Sequence, residues 1–241
     1  MAWKADVKMN VSTGKKYDIF LFDADGTLYD FDKAEANALR IVFDKCGFNY
    51  KEEVLDKYIE INLPLWDSLE KGEMSKDVLQ TLRFVRLFDY IGVDYDAKDF
   101  NEKYLYELGK GAFLIDGALE ICRQIALRGK KIYIVTNGIL AKQTSRIKHS
   151  LIKDYISGFF VSECVGFQKP SISYFDYIIA NIPQVGKDKI LIIGDSLSAD
   201  IQGGRNAGID SCWFNPACVE NQTGIIPTYE VHMLSEILGF V

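Results

Sequence analysis

Short apolar runs that end at polar residues recur along the chain. They predict strands at 17–22, 131–136, 159–162, 189–194, 211–214 and 229–232. Between most of these runs the apolar residues have helical spacing, as in 119–127, 174–180 and 199–207. Strands that alternate with helices indicate an α/β protein with a doubly wound, parallel, Rossmann-like sheet.

Residues 32–110 interrupt this alternation, because they contain helical periodicity and no strand pattern. Helices are predicted at 34–46, 51–61, 76–90 and 97–108. The second is expected to end at the break Asn62-Leu63-Pro64, since proline disrupts a helix interior. We therefore expect a helical cap domain at 32–110, inserted above the end of the first strand into a core domain formed by 1–31 and 111–241.

Composition narrows the class of protein. The chain has 241 residues, of which 48% are hydrophobic and 26% charged, as in a globular protein with room for a core and a smaller insert. Its net charge of −6 argues against a nucleic-acid partner, which requires basic patches. A small phosphate ester stays possible, because it needs a single local positive site.

Cysteine usage and the N-terminus bear on the compartment. The five cysteines are odd in number and have no C-x-x-C spacing, which favours reduced thiols over a zinc site. Residues 1–16 are polar, are expected to form a loose lead-in, and contain no apolar signal-peptide segment. With no apolar run of membrane-spanning length, we expect a cytoplasmic protein without a membrane partner.

Two acids directly follow the first apolar strand. Asp23 and Asp25 stand one residue apart, and Gly26 allows the backbone to turn. Open α/β sheets bind their ligands at the carboxyl ends of strands, and two adjacent carboxylates need a counter-charge such as a divalent cation. One carboxylate can attack phosphorus while the other transfers a proton. The alternative is a plain Asp-Gly turn.

Two later segments could bind the phosphoryl group. Thr136-Asn137-Gly138 follows a strand and offers a hydroxyl and turn amides, although an ordinary Asn-Gly turn has the same pattern. Lys169 could neutralise both the nucleophile and the transferred group. A surface lysine is the alternative for this residue.

A second pair of acids follows the apolar run 190–193. Asp195 comes at the end of this predicted strand, where a hard oxygen ligand suits Mg²⁺. Asp200 falls at the start of the next helix, so it could act at the site or cap the helix. His149 and His232 are isolated and are not needed by this chemistry.

Taken together, four segments resemble the four motifs of the haloacid dehalogenase (HAD) superfamily of hydrolases. They are Asp23-x-Asp25-Gly-Thr-Leu, Thr136-Asn137, Lys169-Pro170 and Gly194-Asp195-x-x-x-x-Asp200. The match extends from residue 17 to about residue 232. The resemblance implies a Rossmann-like core with a C1-type helical cap inserted after the first motif.

The resemblance also implies roles for the acids of the first and last motifs. Asp23 would be the nucleophile and Asp25 the general acid and base. Mg²⁺ would be held by the Asp23 carboxylate, the Asp25 backbone carbonyl and Asp195. Asp200 would act through the metal shell or orient Lys169.

The two middle motifs would bind the substrate's phosphoryl group. Thr136 and Lys169 would hold it as catalytic residues, with Asn137 beside them. The substrate would then be a small-molecule phosphomonoester. The sequence leaves the oligomeric state open between a monomer and a homodimer.

A narrower resemblance concerns 62–66 in the cap and 200–216 in the core, which are similar to the YjjG/YfnB-type HAD 5'-nucleotidases. It implies hydrolysis of nucleoside monophosphates with a pyrimidine preference, and makes Asn62 and Trp66 candidates for substrate specificity. For Pro64 and Trp66, a helix break with a packed indole is an equally good explanation. The alternative functions are a phosphatase for sugar or other small metabolite phosphates and a catalytically silent HAD-fold binding protein.

Overall fold

The computed structural model describes residues 15–241, so the predicted lead-in at 1–16 lies outside the described residues except for Lys15 and Lys16. Six parallel strands form one sheet in the order β3-β2-β1-β4-β5-β6. The strands are β1 (Ile19–Phe22), β2 (Lys131–Thr136), β3 (Gly158–Val161), β4 (Ile190–Gly194), β5 (Asp210–Phe214) and β6 (Tyr229–Val231).

Nine α-helices accompany the sheet in the described part of the chain. They are α1 (Phe31–Lys45), α2 (Glu52–Glu70), α3 (Lys76–Ile91), α4 (Ala97–Lys110), α5 (Ala118–Leu127), α6 (Leu140–His149), α7 (Ser162–Val165), α8 (Ile172–Ala180) and α9 (Gln202–Ala207). A π-helical turn, Leu197–Ile201, directly precedes α9. None of the helices in residues 15–241 combines the length and the hydrophobicity that a membrane-spanning segment requires.

The central strands are apolar on both faces. Every residue of β1 and β4 is buried, as expected for parallel strands that are covered on each side. Ile19 of β1 pairs with Lys131 of β2 and with Ile190 of β4, so the three strands run in register. Their carboxyl ends therefore meet at one edge of the sheet, which confirms the predicted α/β fold and the predicted strands to within two residues.

The chain divides into two compact units. The sheet unit contains Leu114–Leu140, Leu151–Val241 and the described residues up to Asp30. The helical unit contains Phe31–Phe113 and Ala141–Ser150. The sequence analysis assigned 141–150 to the core domain, whereas here they group with the helical unit; the functional domain boundaries stay a prediction.

The helical unit has its own aromatic core. Phe43, Phe84, Phe88 and Phe100 are almost fully buried and contact one another at centroid distances from 4.8 to 6.3 Å. Edge-to-face and tilted contacts of this kind add to the free energy of apolar burial. The predicted four-helix pattern is thus observed as α1 to α4.

The prediction that a helix ends at Asn62-Leu63-Pro64 is wrong, because α2 continues through Pro64 to Glu70. Pro64 cannot donate to the carbonyl of Glu60, but Glu60 is exposed, so water can bind that carbonyl. Beyond the proline, Leu65 and Leu69 are buried against Leu79. This apolar stripe stabilises the second half of the helix more than the proline destabilises it.

Candidate active site

The end of β1 delivers the first acid into the protein interior. The Asp23 N–H donates to the Ile193 carbonyl at 2.9 Å, which extends the pairing of β1 with β4 by one residue. A tight turn follows, in which the N–H groups of Leu28 and Tyr29 donate to the Ala24 carbonyl at 3.1 and 2.9 Å. Asp23 is buried and Asp25 is half-buried inside this turn.

Gly26 allows the turn to approach the acid at the end of β4. Its φ is +81°, and a Cβ at this position would lie 2.5 Å from Oδ2 of Asp195. Thr27 Oγ1 donates to Asp195 Oδ1 at 3.2 Å, and the Trp213 indole N–H donates to the Asp195 carbonyl at 2.9 Å. Sequence reasoning missed Thr27 and Trp213, although Thr27 belongs to the first motif.

Lys169 is buried at the centre of the site. Its Nζ donates to Asp23 Oδ1 at 2.5 Å, to Asp200 Oδ1 at 2.6 Å and to the Val135 carbonyl at 3.0 Å. The three ammonium hydrogens therefore have three acceptors. The surface-lysine alternative does not apply, since only 2% of this residue is exposed.

The Thr136-Asn137 segment contacts the Lys169 segment through Asn137. Asn137 Nδ2 donates to the Lys169 carbonyl and Asn137 Oδ1 accepts from the Lys169 N–H, each at 2.9 Å. Thr136 is buried, and its Oγ1 accepts from the Gly138 N–H at 3.0 Å. The Asn137 side chain is thus engaged with protein, so its predicted contact with phosphate would use its backbone.

Asp200 combines the two roles that the sequence left open. It lies in the π-helical turn, where its Oδ2 accepts from the Ser196 N–H at 3.2 Å, while Oδ1 accepts from Lys169. Asp23, Asp195 and Asp200 offer carboxylate oxygens within 4.8 Å of one another. This set of hard oxygen donors fits a magnesium ion.

The pKa values of these groups depend on two effects, which are burial and the charges of neighbouring groups. Burial raises the pKa of the Asp23 carboxyl, although the Lys169 ammonium acts in the opposite direction. Burial lowers the pKa of Lys169, but the carboxylates of Asp200 and Asp23 outweigh it, so this pKa lies above its ordinary value. Desolvation by the surrounding protein and the Asp200 charge raise the pKa of Asp195 to about 6, although this residue is exposed to solvent.

The two predicted specificity residues lie in the helical unit. Asn62 is 3% exposed; its Nδ2 donates to Glu35 Oε1 at 3.4 Å, and its Oδ1 has no hydrogen-bond partner in the structure. Trp66 is half-buried and packs against the cluster formed by Leu65, Leu69 and Leu79. The packed indole is therefore observed, but on a continuous helix.

Comparison with known proteins identifies the class. The sequence profile of the haloacid dehalogenase-like hydrolases matches residues 20–214. This chain therefore belongs to the haloacid dehalogenase-like hydrolase family, as the four motifs predicted.

Within the family, three bacterial proteins are similar over almost their whole length. The crystal structure of the Bacillus subtilis HAD-hydrolase YfnB, bound to magnesium, has a TM-score of 0.86 and 41% identity, and the match covers 92% of this chain and 97% of that one. The pyrimidine 5'-nucleotidase PynA of Streptococcus pneumoniae is 39% identical, with 92% of this chain and 94% of PynA covered. The Escherichia coli pyrimidine 5'-nucleotidase YjjG is 32% identical, with coverages of 92% and 96%.

Proposed function

We propose that this protein is a Mg²⁺-dependent phosphomonoester hydrolase that acts on nucleoside 5'-monophosphates, with a preference for pyrimidines, in the cytoplasm. The observation that carries the proposal is the buried Lys169 ammonium, which joins Asp23 to Asp200 beside Asp195. Similarity to PynA and YjjG supports the nucleotide as substrate. No nucleic-acid partner is proposed, and the protein acts as a monomer or a homodimer.

The first half of the reaction transfers the phosphoryl group to the protein. A carboxylate oxygen of Asp23 attacks phosphorus in line with the ester oxygen, and the bond from phosphorus to that oxygen breaks. Asp25 gives its proton to the departing oxygen, so the nucleoside leaves as an alcohol. The product on the protein is an aspartyl-phosphate at Asp23.

The second half restores the carboxylate. Asp25, now ionised, accepts a proton from a water molecule as the water oxygen attacks phosphorus. The bond between phosphorus and the Asp23 oxygen breaks, and inorganic phosphate leaves. One residue thus serves as acid and then as base, which requires Asp25 to be protonated at the start of each turnover.

Charge is the main obstacle, because an anionic nucleophile approaches an anionic phosphate. Lys169 and the Thr136 hydroxyl hold the phosphoryl oxygens and offset this repulsion. The carboxylates of Asp23 and Asp195 and the Asp25 carbonyl would hold Mg²⁺. When bound, the ion supplies positive charge at the transferred phosphoryl group.

The helical unit is proposed to be the cap, with residues 32–110 as its main part. Asn62 and Trp66 are its proposed specificity residues. The side-chain oxygen of Asn62 is buried without a hydrogen-bond donor in the structure, and it is free to accept an N–H from the nucleobase of the substrate. Exclusion of bulk water by a cap would also strengthen the electrostatic contacts at the phosphoryl group.

The test is phosphate release with Mg²⁺ from a panel of nucleoside monophosphates and sugar phosphates. We expect pyrimidine deoxynucleotides to exceed the other substrates in kcat/KM by more than about 10-fold, which corresponds to about 1.4 kcal/mol. Asn62→Ala should reduce this preference more than it reduces hydrolysis of p-nitrophenyl phosphate. A lead by sugar phosphates, or equal rates, would refute the nucleotide assignment, and no phosphate release from any ester would favour a silent binding protein.

A further inference from the structure

The Asn137 side chain binds both backbone polar groups of a single residue. Its carboxamide accepts from the N–H and donates to the carbonyl of Lys169, each at 2.9 Å. A carboxamide that pairs in this way imitates the edge of a neighbouring strand. Two parallel hydrogen bonds define both the distance and the orientation of the partner, whereas a single bond leaves rotation free.

The other end of Lys169 is equally constrained. Its Nζ lies within 3.0 Å of Asp23 Oδ1, Asp200 Oδ1 and the Val135 carbonyl. A lysine side chain has several rotatable bonds, so the ammonium stays on these acceptors only if its backbone is held at the matching distance. Asn137 provides that backbone restraint.

Asn137 also follows Thr136, whose hydroxyl lies in the same turn and accepts from the Gly138 N–H. The turn at the end of β2 therefore sets the location of the Thr136 hydroxyl and, through Asn137, of the Lys169 ammonium. These are the two groups assigned to the phosphoryl oxygens, and they are 33 residues apart in the sequence.

From these contacts we infer that Asn137 is a positioning residue, whose carboxamide holds Lys169 so that its ammonium is aligned with the Asp23 nucleophile and the transferred phosphoryl group. The inference rests on the proposed function, because it assigns Asn137 a role in that reaction. Asn137 would affect kcat more than KM, since a misplaced ammonium weakens charge stabilisation in the transition state.

Asn206 offers a matched control, because it binds the backbone of Pro170, the residue that directly follows Lys169. Asn206 Nδ2 donates to the Pro170 carbonyl at 2.9 Å, and Gln202 Nε2 donates to Asn206 Oδ1 at 2.7 Å. Asn206 therefore anchors the same segment with the same side-chain type, but through one bond and from the protein surface. Asn137→Ala and Asn206→Ala make the same chemical change at adjacent anchor points.

The first experiment compares the kinetics of these two variants on p-nitrophenyl phosphate with Mg²⁺. We expect Asn137→Ala to lower kcat by about 10- to 100-fold, with KM changed by less than about 3-fold. Asn206→Ala should retain kcat within about 3-fold of the wild type. Circular dichroism and thermal unfolding establish the folded fraction, so that kcat is expressed per folded molecule.

Three kinetic results would overturn the inference. Equal losses of kcat in the two variants would mean that any anchor of the segment matters, not the pairing with Lys169. Unchanged kcat in folded Asn137→Ala would remove the role altogether, and a larger effect on KM than on kcat would indicate binding of substrate. An inactive wild type would instead contradict the proposed function.

A second measurement is independent of turnover. A buried ammonium with three acceptors exchanges its hydrogens slowly, so Lys169 should give a ¹H–¹⁵N signal from Nζ, which the variant Lys169→Met identifies by its absence. We expect Asn137→Ala to shift or broaden this signal and Asn206→Ala to leave it in place. An identical signal in the folded wild type, Asn137→Ala and Asn206→Ala would refute positioning by Asn137, even if the protein hydrolysed no ester.

Discussion

Lys169 of the sheet unit and Arg83 of the helical unit are both buried long cations, and their contacts differ. In the sheet unit, Lys169 donates to two carboxylates, those of Asp23 and Asp200. In the helical unit, Arg83 is also 2% exposed, but it donates to the Tyr58 hydroxyl at 3.1 Å and to Asn101 Oδ1 at 2.7 Å. The two cations are buried to the same degree, but the side chains that accept hydrogen bonds from Lys169 are charged, whereas those that accept from Arg83 are neutral.

The partners indicate what each cation is for. Arg83 lies on α3, Tyr58 on α2 and Asn101 on α4, so the guanidinium joins three helices. It also lies 5.0 and 4.9 Å from the ring centroids of Phe84 and Tyr104. Arg83 therefore joins the helices of the helical core, whereas Lys169 holds two acids of the candidate active site close to each other.

The largest expected effect is at Asp23, the proposed nucleophile. Asp23→Asn should lower turnover by at least about 10⁴-fold, or more than about 5 kcal/mol of transition-state stabilisation, because an amide cannot form the aspartyl-phosphate. Circular dichroism should show an unchanged fold, since burial already disfavours the charge at this position. Near-normal phosphate release by purified Asp23→Asn would sink the assignment of the nucleophile.

The opposite pattern is expected for Arg83. Arg83→Leu should lower the free energy of unfolding by about 4 kcal/mol, because it leaves the Tyr58 hydroxyl and the Asn101 oxygen buried without their donor. Hydrolysis of p-nitrophenyl phosphate per folded molecule should stay within about 3-fold of the wild type. Urea unfolding measures the first quantity. Loss of turnover at unchanged stability would contradict the contrast between the two cations.

Glu35 adds a pH dependence to the helical unit. Burial raises the pKa of Glu35 from 4.5 to about 7, while the Tyr104 hydroxyl and Arg83 act in the opposite direction. Between about pH 4.5 and pH 7 the unfolded chain loses this proton first, so stability falls as pH rises. The contribution reaches at most about 3 kcal/mol and is constant above pH 7.

The variant Glu35→Gln tests this pH dependence directly. Urea unfolding at pH 8 should show it to be more stable than the wild type, and the two proteins should converge towards pH 4.5. The variant keeps the side-chain length and an acceptor for Tyr104, so packing is matched. Parallel stability curves for the two proteins across this pH range would rule out the raised pKa.

The smallest effects are expected at two glycines with positive φ, one with open space around it and one that lies close to another side chain. Gly92 follows the last residue of α3 with φ of +67°, and an added Cβ would have no neighbouring atom within 4 Å. Gly92→Ala should therefore lower the free energy of unfolding by about 1 kcal/mol and leave the activity unchanged. Gly26→Ala has similar strain, and its Cβ would also displace Asp195. Thermal unfolding and phosphate release should show loss of both stability and turnover only at Gly26. Full activity in Gly26→Ala would contradict the close approach.

Chain patterns predicted the positions of the acids well, for a local reason. Ile19–Phe22 and Ile190–Gly194 are apolar at every residue except a terminal glycine, so each could be recognised as a buried strand without knowledge of its neighbours. The acids Asp23 and Asp195 then follow from the point where each strand ends. Parallel strands place their carboxyl ends at one edge, and the cluster of acids results.

Patterns were less informative where distant packing outweighs local preference. Pro64 predicts a helix end, and only the contacts of Leu65 and Leu69 with Leu79 reveal why α2 continues. Helix α6 was not predicted either, because it follows an Asn-Gly turn and is rich in polar residues. No local sequence pattern distinguishes Arg83, which is buried, from the charged residues of the same region that face solvent.

The sequence alone thus determined the parallel α/β core, the helical insert and the acids that meet at the sheet edge, since each depends on short-range periodicity and on where strands end. The tertiary structure decided which polar atoms meet across long stretches of chain. It brought Lys169 to Asp23 and Asp200, turned the Asn137 carboxamide towards the Lys169 backbone, and set Thr27 against Asp195. Such pairings depend on burial and on the sum of distant contacts, which no single segment encodes.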